Sequence, residues 1–75
     1  MASCSPSCLV WPKIQWPELV GTNVNVAKAT IESENPNLTG QPIPCNNYRD
    51  QTYCCNRVWI DFNSDGKVCE VPQIG

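Results

Sequence analysis

Apolar residues recur at helical spacing in the first half of the chain. Three of them follow one another at spacings of three and four positions: Val24, Ala27 and Ile31. This spacing places the three side chains on one face of a helix. Asn23 is suited to cap such a helix, and Pro36 cannot continue it. We therefore predict a helix over residues 24–34 with one buried face.

A second pattern, with a period of two, predicts a strand over residues 56–62. Along it, one set of side chains alternates with another: Val58, Ile60 and Phe62 against Arg57, Trp59 and Asp61. Such alternation is typical of a strand with one buried face. The Asp65-Gly66 pair that follows favours a tight turn. We predict that residues 68–71 form the returning strand.

Residues 38–45 are a weaker strand candidate, because a glycine and two prolines interrupt the hydrogen-bonded ladder. We expect any strand here to be short or distorted. Residues 16–21 are predicted to form a turn that carries buried Trp and Leu side chains into the helix. Residues 1–15 show no helical period and are expected to form an extended arm. The prediction is one α+β domain over residues 1–75, with one helix packed on a small mixed sheet.

Six cysteines in 75 residues indicate how so small a domain is stabilised. Ordering the chain costs on the order of 110 kcal/mol, at about 1.5 kcal/mol per residue, and hydrophobic burial in a domain of this size nearly balances that cost. Disulfides therefore supply stability, and they imply an oxidising compartment, so we expect a secreted or vacuolar protein. The sequence alone does not choose among the pairings, although adjacent Cys54 and Cys55 are expected to have different partners. The triplet Asn37-Leu38-Thr39 is an N-glycosylation sequon.

Charge and residue types argue against several function classes. Five Lys and Arg against seven Asp and Glu leave a net charge of -2, so no basic face for a nucleic acid is expected. No apolar run has the length of a membrane span, and we expect no membrane partner. Without any His, a nucleophile lacks its ordinary general base, so we expect neither an enzyme nor a cofactor. Residues 61–66 resemble the start of a calcium-binding loop, but Pro72 stands where the loop requires a bidentate Glu. For zinc, the cysteines have no His that could join them as a ligand. We expect no metal.

The stretch between Cys45 and Cys54 differs from the rest of the chain. Residues 46–53 (NNYRDQTY) contain no aliphatic side chain, so they form either a surface loop or a segment displayed for a partner. A Cys45–Cys54 bridge would stabilise the fold by about 3 kcal/mol, because it lowers the conformational entropy of the unfolded chain. It would also hold the loop near one shape before binding. A stiff, exposed loop of this kind is what a protease inhibitor requires.

Five short segments occur in a specific order and spacing: WPELVG at 16–21, Ala27-Lys28 with Ile31, ENP at 34–36, CNRV at 55–58 and VPQIG at 71–75. In these segments, and over nearly the whole chain from Trp16 onward, the sequence resembles the potato inhibitor I family of serine protease inhibitors. The resemblance implies one helix against a small sheet, with an exposed reactive loop between two roughly parallel strands. It implies a serine protease partner, subtilisin-like or chymotrypsin- and trypsin-like. The loop would enter the active site as a substrate does, and its rigidly held cleaved ends would religate. We expect a monomer.

The resemblance also implies which residues act. In an ungapped register the reactive bond is Gln51-Thr52, and the loop that binds the protease consists of Asn46, Asn47, Tyr48, Arg49, Asp50, Gln51, Thr52 and Tyr53. The alternative bond is Arg49-Asp50, which resembles the basic-acidic pair of trypsin-directed members. Arg57 falls on the first supporting arginine of the family. A charge-assisted hydrogen bond from Arg57 to Asp50 would contribute about 1.5 to 3 kcal/mol to loop rigidity.

The chain departs from the family pattern behind the loop, where Trp59 replaces the second supporting arginine. This change would loosen the loop, and the additional cysteines are expected to compensate. The family implies a Cys8–Cys55 bridge, which leaves Cys4–Cys69 beside Cys45–Cys54. The same departures leave an alternative function open, a non-inhibitory defence or interaction protein on the same scaffold.

Overall fold

The computed structural model describes residue 11, residues 13–45 and residues 54–75. Its elements are a one-turn 3₁₀ helix Pro17–Leu19, helix α1 (Val24–Glu34), and strands β1 (Thr39–Pro44), β2 (Arg57–Phe62) and β3 (Gln73–Ile74). The strands form one sheet in the order β1-β2-β3, with β1 parallel and β3 antiparallel to β2. The predicted α+β fold, one helix on a small mixed sheet, is confirmed.

Helix α1 has the bounds that the sequence predicts. The Asn23 side chain caps it by accepting a hydrogen bond from the Asn25 N–H at 2.9 Å. Its predicted apolar residues are all buried: Val24, Ala27 and Ile31. Asn35 caps the C-terminal end of the helix, and its N–H donates to the Ile31 carbonyl at 3.0 Å. The buried face packs against both β1 and β2.

The hydrophobic core lies between α1 and the sheet. Its buried members are Trp16, Leu19, Val24, Ala27, Ile31, Leu38, Val58, Ile60 and Val68. The predicted turn over residues 16–21 is confirmed, since it carries Trp16 and Leu19 into this core. The described end of the arm runs beside β3, where Gln15 forms an isolated bridge with Gln73. Among the described residues, no helix is long and apolar enough to cross a membrane.

Strand β1 is regular over six residues despite its prolines, contrary to the expected short or distorted strand. Thr39 N–H donates to the Asn56 carbonyl at 2.9 Å, and Cys45 N–H donates to the Phe62 carbonyl at 2.7 Å. The odd-numbered N–H groups of β1 therefore face β2, because strand residues alternate in direction. The two prolines occupy even-numbered positions on an edge strand, so no ladder hydrogen bond is lost.

Strand β2 is present as predicted, but it is covered on both faces. Val58 and Ile60 are fully buried, and Trp59 and Asp61 are buried as well, at 8% and 4% exposure. The predicted half-buried strand is wrong in this respect. The Arg57 guanidinium covers the Trp59 ring, so the second face of β2 is not open to solvent.

The predicted strand over residues 68–71 is also wrong. The turn before it forms as expected, with Gly66 at a φ of +75°. After it, the chain makes only isolated bridges, Asn23 with Lys67 and Phe62 with Val68. Gly66 and Val68 instead exchange main-chain hydrogen bonds with residues 21–24, so this segment attaches the start of α1. The third strand of the sheet is β3, farther along the chain.

Candidate functional site

The structure describes the frame to which the predicted loop is attached. Residues 46–53, with both candidate reactive bonds Gln51-Thr52 and Arg49-Asp50, lie outside the described residues. Because β1 and β2 are parallel, the end of β1 and the beginning of β2 lie at opposite ends of the pair. A strand of this length spans roughly 17 to 20 Å. The two ends of the loop are therefore anchored at opposite ends of the β1-β2 pair.

The first end of the loop is fixed at Cys45. Its N–H donates to the Phe62 carbonyl at 2.7 Å, which continues the β1-β2 ladder by one step. Its sulfur forms a disulfide with Cys69, and the two Cα atoms are 6.5 Å apart. Cys69 in turn donates its N–H to the Asp61 carbonyl at 2.9 Å. The start of the loop is thus hydrogen-bonded to the far end of β2 and covalently joined to Cys69, which is itself hydrogen-bonded to that end of the strand.

This disulfide corrects two of the predicted pairings. Since Cys45 is joined to Cys69, the Cys45–Cys54 and Cys4–Cys69 bridges are wrong. The physical reason is the parallel pairing: Cys45 follows Pro44, which pairs with Phe62 at the end of β2, whereas Cys54 precedes the beginning of β2. A disulfide requires Cα atoms within about 7 Å, far less than the length of the strand.

The second end of the loop is fixed at residues 54–56. Cys54 is 3% exposed, and its carbonyl accepts the Arg57 N–H at 3.1 Å in a turn. The Cys55 carbonyl accepts the Trp11 indole N–H at 2.6 Å. Both cysteines are disulfide-bonded. Cys8 lies outside the described residues, so the Cys8–Cys55 bridge stays a prediction.

Arg57 connects this second end to the C-terminal residue. Its Nε donates to the Gly75 carbonyl oxygen at 2.7 Å, and the Gly75 N–H donates back to the Arg57 carbonyl at 3.0 Å. The guanidinium carbon lies 4.2 Å from the centre of the Trp59 ring, a cation–π arrangement. A Cβ on Gly75 would lie 3.1 Å from Trp59 Cδ1, so the three residues are closely packed.

The structure therefore gives Arg57 and Trp59 partners that the sequence did not indicate. The contact between Arg57 and Gly75 joins positions far apart in sequence, so no local sequence pattern predicts it. Residues 57 and 59 do lie two apart on one strand, which places them on the same face. The stacking of Arg57 on Trp59 could have been proposed from that spacing. The predicted hydrogen bond from Arg57 to Asp50 stays a prediction, since Asp50 lies outside the described residues.

Glu32 ties α1 to the strand that leads into the loop. Its Oε2 accepts the Gly40 N–H at 2.9 Å and the Lys28 ammonium at 2.7 Å. Burial alone would raise the pKa of this carboxyl, but the hydrogen bonds from Lys28 and Gly40 and the charge of Lys28 outweigh it, so the pKa lies below its usual value. The interaction uses an N–H of β1 that faces away from β2.

The described residues contain no group of three or more His, Cys, Asp or Glu placed to hold a metal ion. In the calcium-like stretch, the Asn63 side-chain oxygen accepts the N–H groups of Asp65 and Lys67, each at 3.0 Å. The Asn63 side chain therefore stabilises the turn, which explains these residues without a calcium ion.

Comparison with known proteins agrees with this arrangement. The sequence profile of the Potato inhibitor I family matches residues 9–75. The chain belongs to this family. A flax (Linum usitatissimum) relative named "Proteinase inhibitor" is 40% identical over 62 residues, which cover 83% of this chain and 90% of the relative. A Cucurbita maxima relative, "Inhibitor of trypsin and hageman factor", is 41% identical over 63 residues, which cover 84% and 93% of the two chains.

The fold of this potato inhibitor I member also matches a solved structure of an inhibitor. The crystal structure of bitter gourd trypsin inhibitor superimposes with a TM-score of 0.80 at 36% identity, covering 84% of this chain and 93% of that one. The family resemblance noted from the sequence is thus confirmed, and so is the implied arrangement of one helix on a small sheet. The chain belongs to a family of serine protease inhibitors.

Proposed function

We propose that this protein inhibits a serine protease by inserting residues 46–53 into the active site as a substrate would bind. The observation that carries the proposal is the attachment of both loop ends to one rigid frame. Cys45 is disulfide-bonded to Cys69 beside the end of β2, and buried Cys54 is disulfide-bonded before its beginning. A polar segment held at both ends loses little freedom on binding, which favours affinity.

The same anchoring explains how a bound loop would resist cleavage. If the protease serine attacks the reactive bond, the amine on the leaving side stays attached to the frame through Cys54 and β2. It therefore remains close to the acyl-enzyme at a high effective concentration, and the peptide bond re-forms. In a flexible substrate this amine diffuses away and hydrolysis follows. The proposal therefore requires a rigid frame on both sides of the reactive bond.

Two reactive bonds agree with this mechanism. The ungapped family register places it at Gln51-Thr52, and the alternative at Arg49-Asp50. Trypsin holds the side chain before the cleaved bond in a pocket with an Asp at its base, which suits Arg and Lys. The names of the Cucurbita relative and the bitter gourd structure mention trypsin, which supports testing Arg49 for trypsin and Gln51 for the other proteases.

Arg57 and Trp59 are proposed to support the loop from β2. The Arg57 Nε donates a hydrogen bond to the Gly75 carbonyl oxygen. Stacking on Trp59 and the bond to Gly75 restrict the guanidinium to one orientation. An arginine held in this way donates to a carboxylate such as Asp50 with little loss of side-chain entropy.

The remaining parts of the proposal concern setting. The disulfides favour an oxidising compartment, secreted or vacuolar, and the plant origin of the Linum and Cucurbita relatives favours a role in plant defence. The protein would act as a monomer that binds a protease and performs no catalysis of its own. On the same scaffold, a non-inhibitory defence or interaction protein is the outcome to distinguish by experiment.

The test is a titration of trypsin, chymotrypsin and subtilisin with the oxidised protein near stoichiometric concentration, followed by mass analysis of the recovered chain. We expect at least one protease to lose activity in proportion to added inhibitor, with a single nick at Gln51-Thr52 or Arg49-Asp50. Full activity of all three proteases, with the chain either intact or degraded, would contradict the proposal and leave the non-inhibitory scaffold.

Two variants then assign the reactive bond. Arg49→Ala should abolish trypsin inhibition if Arg49-Asp50 is the reactive bond, whereas Gln51→Ala should leave it unchanged. The reverse ranking, measured with chymotrypsin or subtilisin, assigns Gln51-Thr52. The two substitutions lie two positions apart and each truncates a long polar side chain to Ala, so each serves as the control for the other.

A further inference from the structure

The sequon Asn37-Leu38-Thr39 lies in the turn between α1 and β1, at a point where the fold exposes its first residue. Asn37 is exposed, Leu38 is buried in the core at 3% exposure, and Thr39 begins β1. Buried Leu38 and the strand hydrogen bond of Thr39 fix the position of the turn. The acceptor residue of the triplet therefore faces solvent from a well-defined position.

The Asn37 side chain is not part of the hydrogen bonding in the described part of this turn. The main-chain N–H of Asn37 donates to the side-chain oxygen of Asn35 at 3.1 Å, so Asn35 supplies the capping contact in this turn. Among the described residues, no hydrogen bond, ion pair or ring contact involves the Asn37 carboxamide. Because Asn37 is exposed, a group attached to that nitrogen would displace no hydrogen bond, ion pair or ring contact of the described residues.

The disulfides add an independent observation. Cys45 and Cys69 are joined, and Cys54 and Cys55 are disulfide-bonded as well. Disulfides form in the secretory pathway, and the oligosaccharide of an N-linked glycan is transferred in the same pathway, to Asn in Asn-X-Ser/Thr triplets. The conditions that form the bridges therefore also bring the sequon to the transfer machinery.

We propose that Asn37 is an N-glycosylation site, with a lipid pyrophosphate-linked oligosaccharide as the donor. In the transfer, the Asn37 side-chain nitrogen forms a bond to the anomeric carbon of the first sugar. The bond from that carbon to the pyrophosphate oxygen breaks, the lipid pyrophosphate leaves with the electron pair, and the amide releases one proton. The inference rests on the proposed oxidising compartment and does not depend on protease inhibition.

The glycan would stand beside the second end of the loop. Thr39 N–H donates to the Asn56 carbonyl at 2.9 Å, and Thr39 pairs with Arg57 in the sheet. Asn37 is two residues from this contact. A glycan here flanks the side where the chain returns from the loop to β2, away from the Cys45–Cys69 end.

The experiment expresses the full chain behind a cleavable secretion signal in plant cells, together with a known secreted glycoprotein as a control. Intact mass is measured on protein from both the membrane fraction and the medium, before and after treatment with a peptide N-glycosidase active on plant glycans. The variants are Asn37→Gln, Thr39→Ala and Thr39→Ser. The two Thr39 variants shorten the same side chain, but only Thr39→Ser preserves the sequon.

We expect one glycan on the wild-type chain and on Thr39→Ser, and none on Asn37→Gln or Thr39→Ala. The glycosidase should remove it from the folded, disulfide-bonded protein without denaturant, because Asn37 is exposed. The bare mass on the wild-type chain, with glycans present on the control glycoprotein, would overturn the proposal. A glycan that persists in Asn37→Gln would overturn it as well, since the modification would then lie elsewhere.

Discussion

Removing the Cys45–Cys69 disulfide tests the most specific structural feature of the loop frame. The double variant Cys45→Ala/Cys69→Ala opens a ring whose ends are 24 positions apart in sequence. For a ring of that size, the loop-closure relation gives about 3.5 kcal/mol of stabilisation at 25 °C. Both cysteines are only partly buried, so little packing is lost in addition.

We expect the free energy of unfolding to fall by about 3.5 kcal/mol, and the unfolding midpoint to fall by roughly 15 to 25 °C for a domain of this size. Urea and thermal unfolding followed by tryptophan fluorescence measure both quantities. Ser33→Ala, an exposed position on α1, is the control for a surface truncation and should change stability by less than about 0.5 kcal/mol.

The same variant should weaken inhibition, because the start of the loop is then held only by the Cys45 N–H and the β1 ladder. We expect faster cleavage of the loop by the inhibited protease and a larger inhibition constant. A loss of less than about 1 kcal/mol in unfolding free energy would refute the reasoning, since a closed ring of this length contributes more. Peptide mapping that joins Cys45 to any cysteine other than Cys69 would refute it directly.

Three further changes test other parts of the frame. Arg57→Ala should raise the inhibition constant about 10-fold to 100-fold, since a charge-assisted hydrogen bond is worth about 1.5 to 3 kcal/mol. Arg57→Lys keeps the charge without the planar fork and should recover only part of the lost inhibition. Equal inhibition by the wild-type protein and both variants would exclude a supporting role for Arg57. Gly40→Ala should lower the free energy of unfolding in urea by about 1 to 3 kcal/mol, because the added Cβ would lie 2.9 Å from both Ile60 Cδ1 and Lys28 Cγ. An unchanged unfolding midpoint would contradict this packing. Glu32→Gln should reduce the loss of unfolding free energy at acid pH, because the folded-state pKa of Glu32 is lowered. The stability that Glu32 contributes is present above the usual carboxyl pKa and is lost as pH falls through the lowered value. Parallel plots of unfolding free energy against pH for the two proteins would contradict this prediction.

Helix α1 could be predicted to the residue because its signals are local. The Asn23 cap, the apolar spacing to Ile31 and the proline at position 36 all act within a few residues of one another. Strand β2 was predicted for the same reason. The burial of the second face of β2 was not predicted. It depends on the contact of Arg57 with Gly75 and on the stacking of Arg57 on Trp59, and both depend on the path of the C-terminal segment.

The disulfide pairing shows why sequence proximity misleads. Cys45 and Cys54 bracket the loop and are close in sequence, yet parallel pairing of β1 and β2 places them at opposite ends of the sheet. Cys69, far along the chain, is brought beside Cys45 by its hydrogen bond to Asp61. The regularity of β1 was missed for a related reason, since the direction of each N–H relative to β2 decides whether a proline breaks the ladder.

The measurement that tests the central claim most directly is resynthesis of the reactive bond. The singly nicked protein is isolated with its disulfides intact and incubated with a catalytic amount of the inhibited protease, in parallel with the intact protein. The ratio of intact to nicked chain is followed by mass. If the frame holds both loop ends, the two samples should converge on the same mixture, with intact chain re-formed from nicked. A nicked sample that never regains intact chain, or is degraded further, would contradict inhibition by a rigidly held, substrate-like loop.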